Sequence, residues 1–177
     1  MTVFVEHTLE SAPPASRPAM ESTAQRLGRV PPAVARLATS PHLLDGFLKL
    51  SAAFRRTTLD PLARETVVMT VAVRNDCHIC IAMHTAELRT LGADEELIVA
   101  LGEGRSLADE RLEAVRTFTL EVLRTSGAVG DDELRAFLGH GFTAQNALEV
   151  VMGIGTYTMS TLANRLTRAG AGSPDAG

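Results

Sequence analysis

Residues 62–101 read LARETVVMTVAVRNDCHICIAMHTAELRTLGADEELIVAL. The punctuation of this stretch is helical from end to end. Asp60 stands as a cap before Pro61, which suits a first helical position, so a helix is predicted from Pro61 to about Arg74. A second should begin at Asn75 or Asp76 and stop at Gly92, and a third should cover Asp94 to Leu101 with Gly102 closing it. Nowhere does the stretch alternate apolar and polar residues as a half-buried strand would.

The same reading extends outward. Pro31-Pro32 opens a short helix that stops before Ser40-Pro41, and His42 to Arg56 carries Leu43, Leu44, Phe47, Leu48 and Phe54 at helical spacing. Leu112, Val115, Thr119 and Val122 share one face of a further helix that ends near Gly127. Asp131 to Leu138 forms a short helix, and Thr143 caps a long final one that ends near Gly170. Gly153 and Gly155 lie inside that last helix, where each costs roughly 1 kcal/mol relative to Ala, which points to close packing against another helix. Hydrophobic residues make up 45% of the 177 while aromatics are 4%, so the core must be built from Ala, Leu, Val and Met, a mixture that favours helices. The expectation is an all-α bundle: residues 1–20 as an extended arm, 21–170 as one helical domain, and 171–177 as a flexible tail, with neither end carrying core.

Charge and leader signals narrow the function classes. The formal net charge is −4 and no basic run exceeds Arg55-Arg56, which leaves no electrostatic footprint for nucleic acid or an anionic membrane. The first twenty residues hold Glu6, Glu10, Pro13, Pro14 and Pro18 and read as no signal peptide. Ala147 to Ala163 is the most apolar long stretch, yet Glu149 and its glycines make it fall short of a spanning helix. A cytoplasmic location is the expectation. In a reducing compartment the only two cysteines, Cys77 and Cys80, read as metal-binding or catalytic thiols.

On a helix beginning near Asp76, Cys77, Cys80 and His84 stand at i, i+3 and i+7 and share one face, with Leu88 and Leu91 continuing the stripe. Helical residues three apart lie within the roughly 4.4–6.8 Å that a disulfide spans, so a reversible intrahelical bond is geometrically open. The positive end of a helix favours thiolate, and Cys77 sits nearest to it. On the preceding helix Glu65 interrupts the stripe Leu62, Met69, Ala72 and is a candidate proton acceptor. Its plainer role would be a surface partner for Arg64 or Arg56. Two further readings of the thiols stay open at this level: buried bystanders, and a zinc site in which Cys77, Cys80 and His84 are joined by His78 or Glu65. Against zinc, no second CxxC or HxxxH exists in the chain. His7, His42 and His140 are assigned no role.

Glu65, eleven residues, Cys77-His78-Ile79-Cys80, three residues and His84 together resemble the signature of the carboxymuconolactone decarboxylase and AhpD-like alkyl hydroperoxidase family. The surrounding stretch 62–101 and the closing GIGTYTMSTLANRL are similar to that family as well, so the resemblance covers roughly residues 40–168. It implies an all-α, AhpD-like helical bundle assembled as a homo-oligomer, a trimer or hexamer, with no cofactor. It also implies a thiol-based peroxidase: Cys80 as the attacking thiolate, Cys77 as the resolving thiol, Glu65 and His84 as a proton relay. The partners implied are a hydroperoxide substrate and a dithiol reductant, either a lipoyl carrier or a thioredoxin-like protein. The helix-start argument favours Cys77 as the reactive thiol; the resemblance assigns Cys80. Well-studied AhpD-like members place a histidine just before the second cysteine, where this chain has Ile79, with His78 one place earlier. The alternatives are a lactone decarboxylase of the same fold, whose members generally lack the cysteine pair, and a non-catalytic zinc-binding or redox-sensing oligomeric scaffold.

Overall fold

The computed structural model describes residues 3–170, and among them no strand is present. One turn of 3-10 helix, Pro14–Ser16, precedes α1 (Arg17–Leu27), α2 (Pro32–Leu37), α3 (Pro41–Phe54), α4 (Pro61–Arg74) and α5 (His78–Thr90). Then come α6 (Glu95–Gly102), α7 (Glu110–Thr125), α8 (Asp131–Gly139) and α9 (Ala144–Leu166). The all-α expectation holds. By backbone packing the chain divides into two compact units, one of the residues up to Leu50 with those from Leu162 onward, the other Ser51–Thr161.

The first unit corrects the reading of the N-terminal arm. Residues 1–20 were expected to stay extended and coreless, yet α1 begins at Arg17 with Pro18 in its first turn, where a missing N–H costs nothing. Ala12, Ser16 and Met20 are buried. Ala12 and Met20 join Val34, Leu37, Ala38 and Leu44 in one apolar cluster. The Ser16 hydroxyl donates to the Ala38 carbonyl at 2.7 Å, which satisfies a buried polar group without a helix partner. Arg36, also buried, donates to the Thr167 carbonyl just beyond the last turn of α9 and pairs with Glu6 at 3.1 Å. A cation there meets the negative end of the helix dipole. The tail expected over 171–177 lies outside the described residues.

The second unit is organised around α4, which packs against α5, α6 and α7. Ala63 and every residue from Thr66 to Ala72 are buried, so this helix is apolar nearly all round, as a central helix must be. Its two buried hydroxyls turn back on their own helix, Thr66 to the Leu62 carbonyl at 2.8 Å and Thr70 to the Thr66 carbonyl at 2.6 Å. The Asp60 carboxylate accepts from the Ala63 N–H at 2.9 Å, making the cap that the sequence announced. On α7 the face Leu112, Val115, Thr119, Val122 is buried as its spacing requires. Phe118 stacks on Phe137 at 4.3 Å and Phe137 on Phe142 at 4.5 Å, with the Arg111 guanidinium 4.3 Å over the outer ring.

At the start of α9, Thr143 and Asn146 cap each other reciprocally, at 3.0 and 3.2 Å. Close approach explains one of the two interior glycines. A Cβ on Gly153 would stand 2.7 Å from the Phe54 ring and 2.9 Å from Val67, whereas nothing lies within 4 Å of one on Gly155. The expectation of tight packing thus holds at Gly153 and fails at Gly155.

Candidate active site

The junction of α4 and α5 sets the cysteine geometry. After Arg74 the chain does not run straight into a new helix. Asp76 adopts a left-handed φ of 51°, its N–H bonding the Val73 carbonyl at 2.9 Å while the Cys77 N–H bonds the Ala72 carbonyl at 2.9 Å. These paired bonds close α4 in a Schellman motif with aspartate in the slot usually held by glycine. Ala72 and Cys77 pack together in a small apolar cluster with Cys80, the hydrophobic contact that accompanies such an ending.

The helix expected to start at Asn75 or Asp76 therefore begins two to three residues later, at His78. Cys77 is the N-cap of α5, at φ −95° and ψ 87°, and its carbonyl accepts the first bond of the new helix from the Ile81 N–H at 2.9 Å. One residue ends α4 and begins α5. Cys80 lies in the first turn, where backbone N–H groups are still unpaired within the helix. The two Cα atoms are 5.3 Å apart and the side chains are joined as a disulfide. Both cysteines are buried, with exposures of 2% and 6%.

Glu65 and His84 meet across the α4–α5 packing. His84 Nδ1 lies 2.7 Å from Glu65 Oε2, and both side chains are largely buried, at 18% and 13% exposure. A carboxylate only accepts, so Nδ1 carries the proton and Nε2 is left as the nitrogen available for chemistry. His84 stands four residues after Cys80 on one helix, the spacing at which side chains are neighbours. Neither surface arginine considered for Glu65 takes it. Arg64 donates to the Thr57 and Leu59 carbonyls and Arg56 to that of Ala52.

His78 points elsewhere: its side chain is 86% exposed and lies 3.5 Å from Asp76. Among the described residues no group of three or more His, Cys, Asp and Glu side chains is placed to hold a metal ion. Here the thiols are bonded to each other and His78 is turned to solvent.

Sequence reasoning missed Tyr157. It comes from the middle of α9, is 6% exposed, and meets the His84 ring edge-on, with centroids 5.4 Å apart and planes at 84°. Its hydroxyl lies 3.4 Å from Ser51 Oγ, which also receives Arg55 Nη1 at 3.3 Å. Burial and, to a smaller degree, the nearby Glu65 carboxylate hold the phenol above its ordinary value, with the Ser51 hydrogen bond opposing, so Tyr157 stays neutral. A lone tyrosine some seventy residues from His84 leaves no local pattern, and only packing reveals it.

A cavity of about 380 Å³ between α7 and α8 is lined by Phe118, Phe137, Glu110, Glu133 and His140. It holds no thiol, and two of its rim carboxylates, Glu113 and Glu121, are taken by Arg116 and Arg124. The cysteine pair and the Glu65–His84 couple lie at the α4–α5 junction instead.

The fold is that of AhpD-like alkylhydroperoxidases. The chain is similar to an alkylhydroperoxidase AhpD core structure, an uncharacterized peroxidase-related protein from Ralstonia eutropha JMP134, with a TM-score of 0.81 and 21% identity over 93% of this chain and 88% of that one. An uncharacterized peroxidase-related protein from Silicibacter sp. TM1040 gives 0.78 and 21%, over 95% and 90%. The debrominase Bmp8 gives 0.77 and 14%, over 98% and 94%. At these identities the likeness is one of fold. Residues 41–120, a segment that contains Glu65, Cys77, Cys80 and His84, match the model of the carboxymuconolactone decarboxylase family. No curated protein matches the sequence. Among the described residues no helix is long and apolar enough to cross a membrane.

Proposed function

We propose that the protein is a thiol-dependent peroxidase that reduces hydroperoxides with the Cys77/Cys80 dithiol, Cys80 attacking and Cys77 resolving. The observation that carries this reading is the conjunction at one junction of a bonded cysteine pair and, one helical turn on, an imidazole held by a carboxylate at 2.7 Å. The pair supplies two electrons, and the Glu65–His84 couple supplies the proton traffic that two-electron reduction of a peroxide needs.

In the reduced enzyme His84 Nε2 takes the Cys80 proton, and Glu65 stabilises the imidazolium that forms. Cys80 thiolate attacks the terminal oxygen of ROOH. The O–O bond breaks, Cys80 becomes a sulfenic acid, and the departing alkoxide takes a proton from His84 and leaves as ROH. Cys77 thiol then attacks the Cys80 sulfur, forming the disulfide and releasing water. A dithiol donor, a lipoyl carrier or a thioredoxin-like protein, returns both thiols by exchange and is itself oxidised to a disulfide. The position of Cys80 within α5, four residues before His84, favours it as the attacking thiol. Cys77, as the cap, has its backbone committed to both helices.

The reading includes a homo-oligomer, a trimer or hexamer as in the family. Leu148 and Val151 on α9 are 73% and 47% exposed, apolar side chains that a second copy would cover. The test of the function is peroxide consumption by reduced protein supplied with a dithiol donor. Sustained turnover, with one peroxide consumed per disulfide formed in a single-turnover assay, is expected. Stoichiometric peroxide that leaves both thiols free would contradict it. Turnover of a muconolactone that survives in the Cys77→Ser, Cys80→Ser double variant would instead favour a decarboxylase resting on Glu65 and His84 alone.

A further inference from the structure

We propose that Tyr157 is a positioning residue for His84: its ring fixes the imidazole in the plane that serves both Glu65 and Cys80, and its own rotation is fixed by Ser51 and Phe54. The inference deepens the peroxidase reading and rests on it for its catalytic consequence, but the positioning itself is independent of turnover.

Among the described residues the imidazole is hydrogen-bonded from Nδ1 to Glu65. A single bond sets the distance of a ring and leaves rotation about that bond open. The edge-on contact at 5.4 Å and 84° removes this freedom, because a ring turning about the Nδ1–Oε2 line would drive its edge into the phenol. Tyr157 must in turn be immobile to do this. Phe54 meets it edge-on at 5.8 Å and 68°, and Ser51 Oγ engages its hydroxyl at 3.4 Å while also accepting from Arg55 Nη1 at 3.3 Å.

Phe54 can occupy its place only because position 153 carries no side chain; a Cβ there would overlap its ring at 2.7 Å. Gly153 and Tyr157 are four residues apart on the same helix, so α9 presents a gap for Phe54 and, one turn on, the ring that Phe54 braces. The chain of contact runs Gly153, Phe54, Tyr157, His84, Glu65. The neutral state of the phenol fits this role: the ring is a wall, and its hydroxyl is an anchor rather than a base.

The test compares Tyr157→Met, which leaves a long apolar side chain that helices tolerate but removes the ring, with Tyr157→Phe, which keeps the ring. The readouts are the ¹⁵N resonances of the His84 imidazole in the reduced, full-length protein and the separate kcat and KM for peroxide. In Tyr157→Met the His84 resonances are expected to move toward those of a rotating, tautomer-averaged imidazole, and kcat to fall roughly ten- to hundredfold with KM nearly unchanged. Tyr157→Phe is expected to restore most of both. Unmoved resonances in a folded Tyr157→Met protein would overturn the proposal even if the wild type consumes peroxide.

The reverse result separates the two readings: shifted resonances with no peroxide consumption by the wild type would retain the positioning and remove the peroxidase. Should Tyr157→Met not fold, Ser51→Ala takes its place. It removes the oxygen that engages both the Tyr157 hydroxyl and Arg55 while leaving the ring in place, and the same resonances are expected to move in the same direction by less; no movement would overturn the proposal.

Discussion

Two glutamates reach across helix packing in the same unit, and they are treated in opposite ways. Glu149 on α9 is saturated. Its carboxylate accepts from the Thr58 and Leu59 N–H groups, the Thr58 hydroxyl, Gln145 and Asn146, at 2.8 to 3.2 Å. Burial works against its ionisation, but the hydrogen bonds led by Thr58 outweigh that and hold the carboxyl below its ordinary value of 4.5. Glu65 on α4 meets a titratable partner, His84, at 2.7 Å. A carboxylate surrounded by fixed donors is locked as a charge and works as a clamp on the α3–α4 loop. One facing an imidazole holds it by a single hydrogen bond, the arrangement that the proposed chemistry uses.

The contrast is sharpest in variants. Cys80→Ser sets the scale, since loss of the attacking thiol is expected to remove turnover by on the order of 10³-fold or more, read as peroxide consumption. Glu65→Gln should lower kcat by about 10²-fold, because the amide still binds His84 but no longer stabilises its charged form, with stability changed by no more than about 1 kcal/mol. Glu149→Gln should do the reverse: about 2 kcal/mol lost in denaturant unfolding, and kcat unaltered. A fall in kcat for Glu149→Gln as large as for Glu65→Gln would erase the distinction.

The sign of the pH dependence follows from the lowered value of Glu149. Its contribution is complete above about 4.5 and disappears as pH falls through the lower folded-state value, where the native carboxylate is protonated. The gap in melting temperature between wild type and Glu149→Gln should therefore narrow as pH drops from about 6 to about 3. A gap that stays constant would show that the charge contributes nothing.

Smaller still is the expected split between the two glycines of α9. Gly153→Ala should cost about 1–3 kcal/mol through its clash with Phe54 and Val67, while Gly155→Ala should gain up to about 1 kcal/mol from helix preference alone. Equal effects at the two positions would mean that the close approach at Gly153 is not maintained in solution.

Much of this was legible before any coordinates. Asp60-Pro61 fixed where α4 starts, and the spacing from Glu65 through Cys77 and Cys80 to His84 picked out side chains that the fold brings together as two bonded pairs. What escaped is what depends on partners distant in sequence or on unusual backbone. The helix α1 was hidden in a proline-rich stretch because its anchor, Met20, is a single apolar residue whose burial depends on α2 and α3. The late start of α5 was hidden because aspartate rather than glycine takes the left-handed slot at 76. Glu149 looked like a lone charge in an apolar helix, and Thr58 and Leu59, which give it their N–H groups, sit some ninety residues earlier on the loop it clamps.

The central claim is that Cys80 attacks and Cys77 resolves, and the most direct measurement is mass-spectrometric mapping of trapped sulfenic acid after one equivalent of hydroperoxide. The account predicts a trapped sulfenic acid on Cys80 in Cys77→Ser and none on Cys77 in Cys80→Ser. Trapping on Cys77 in Cys80→Ser, with Cys80 unmodified in the reciprocal variant, would contradict it.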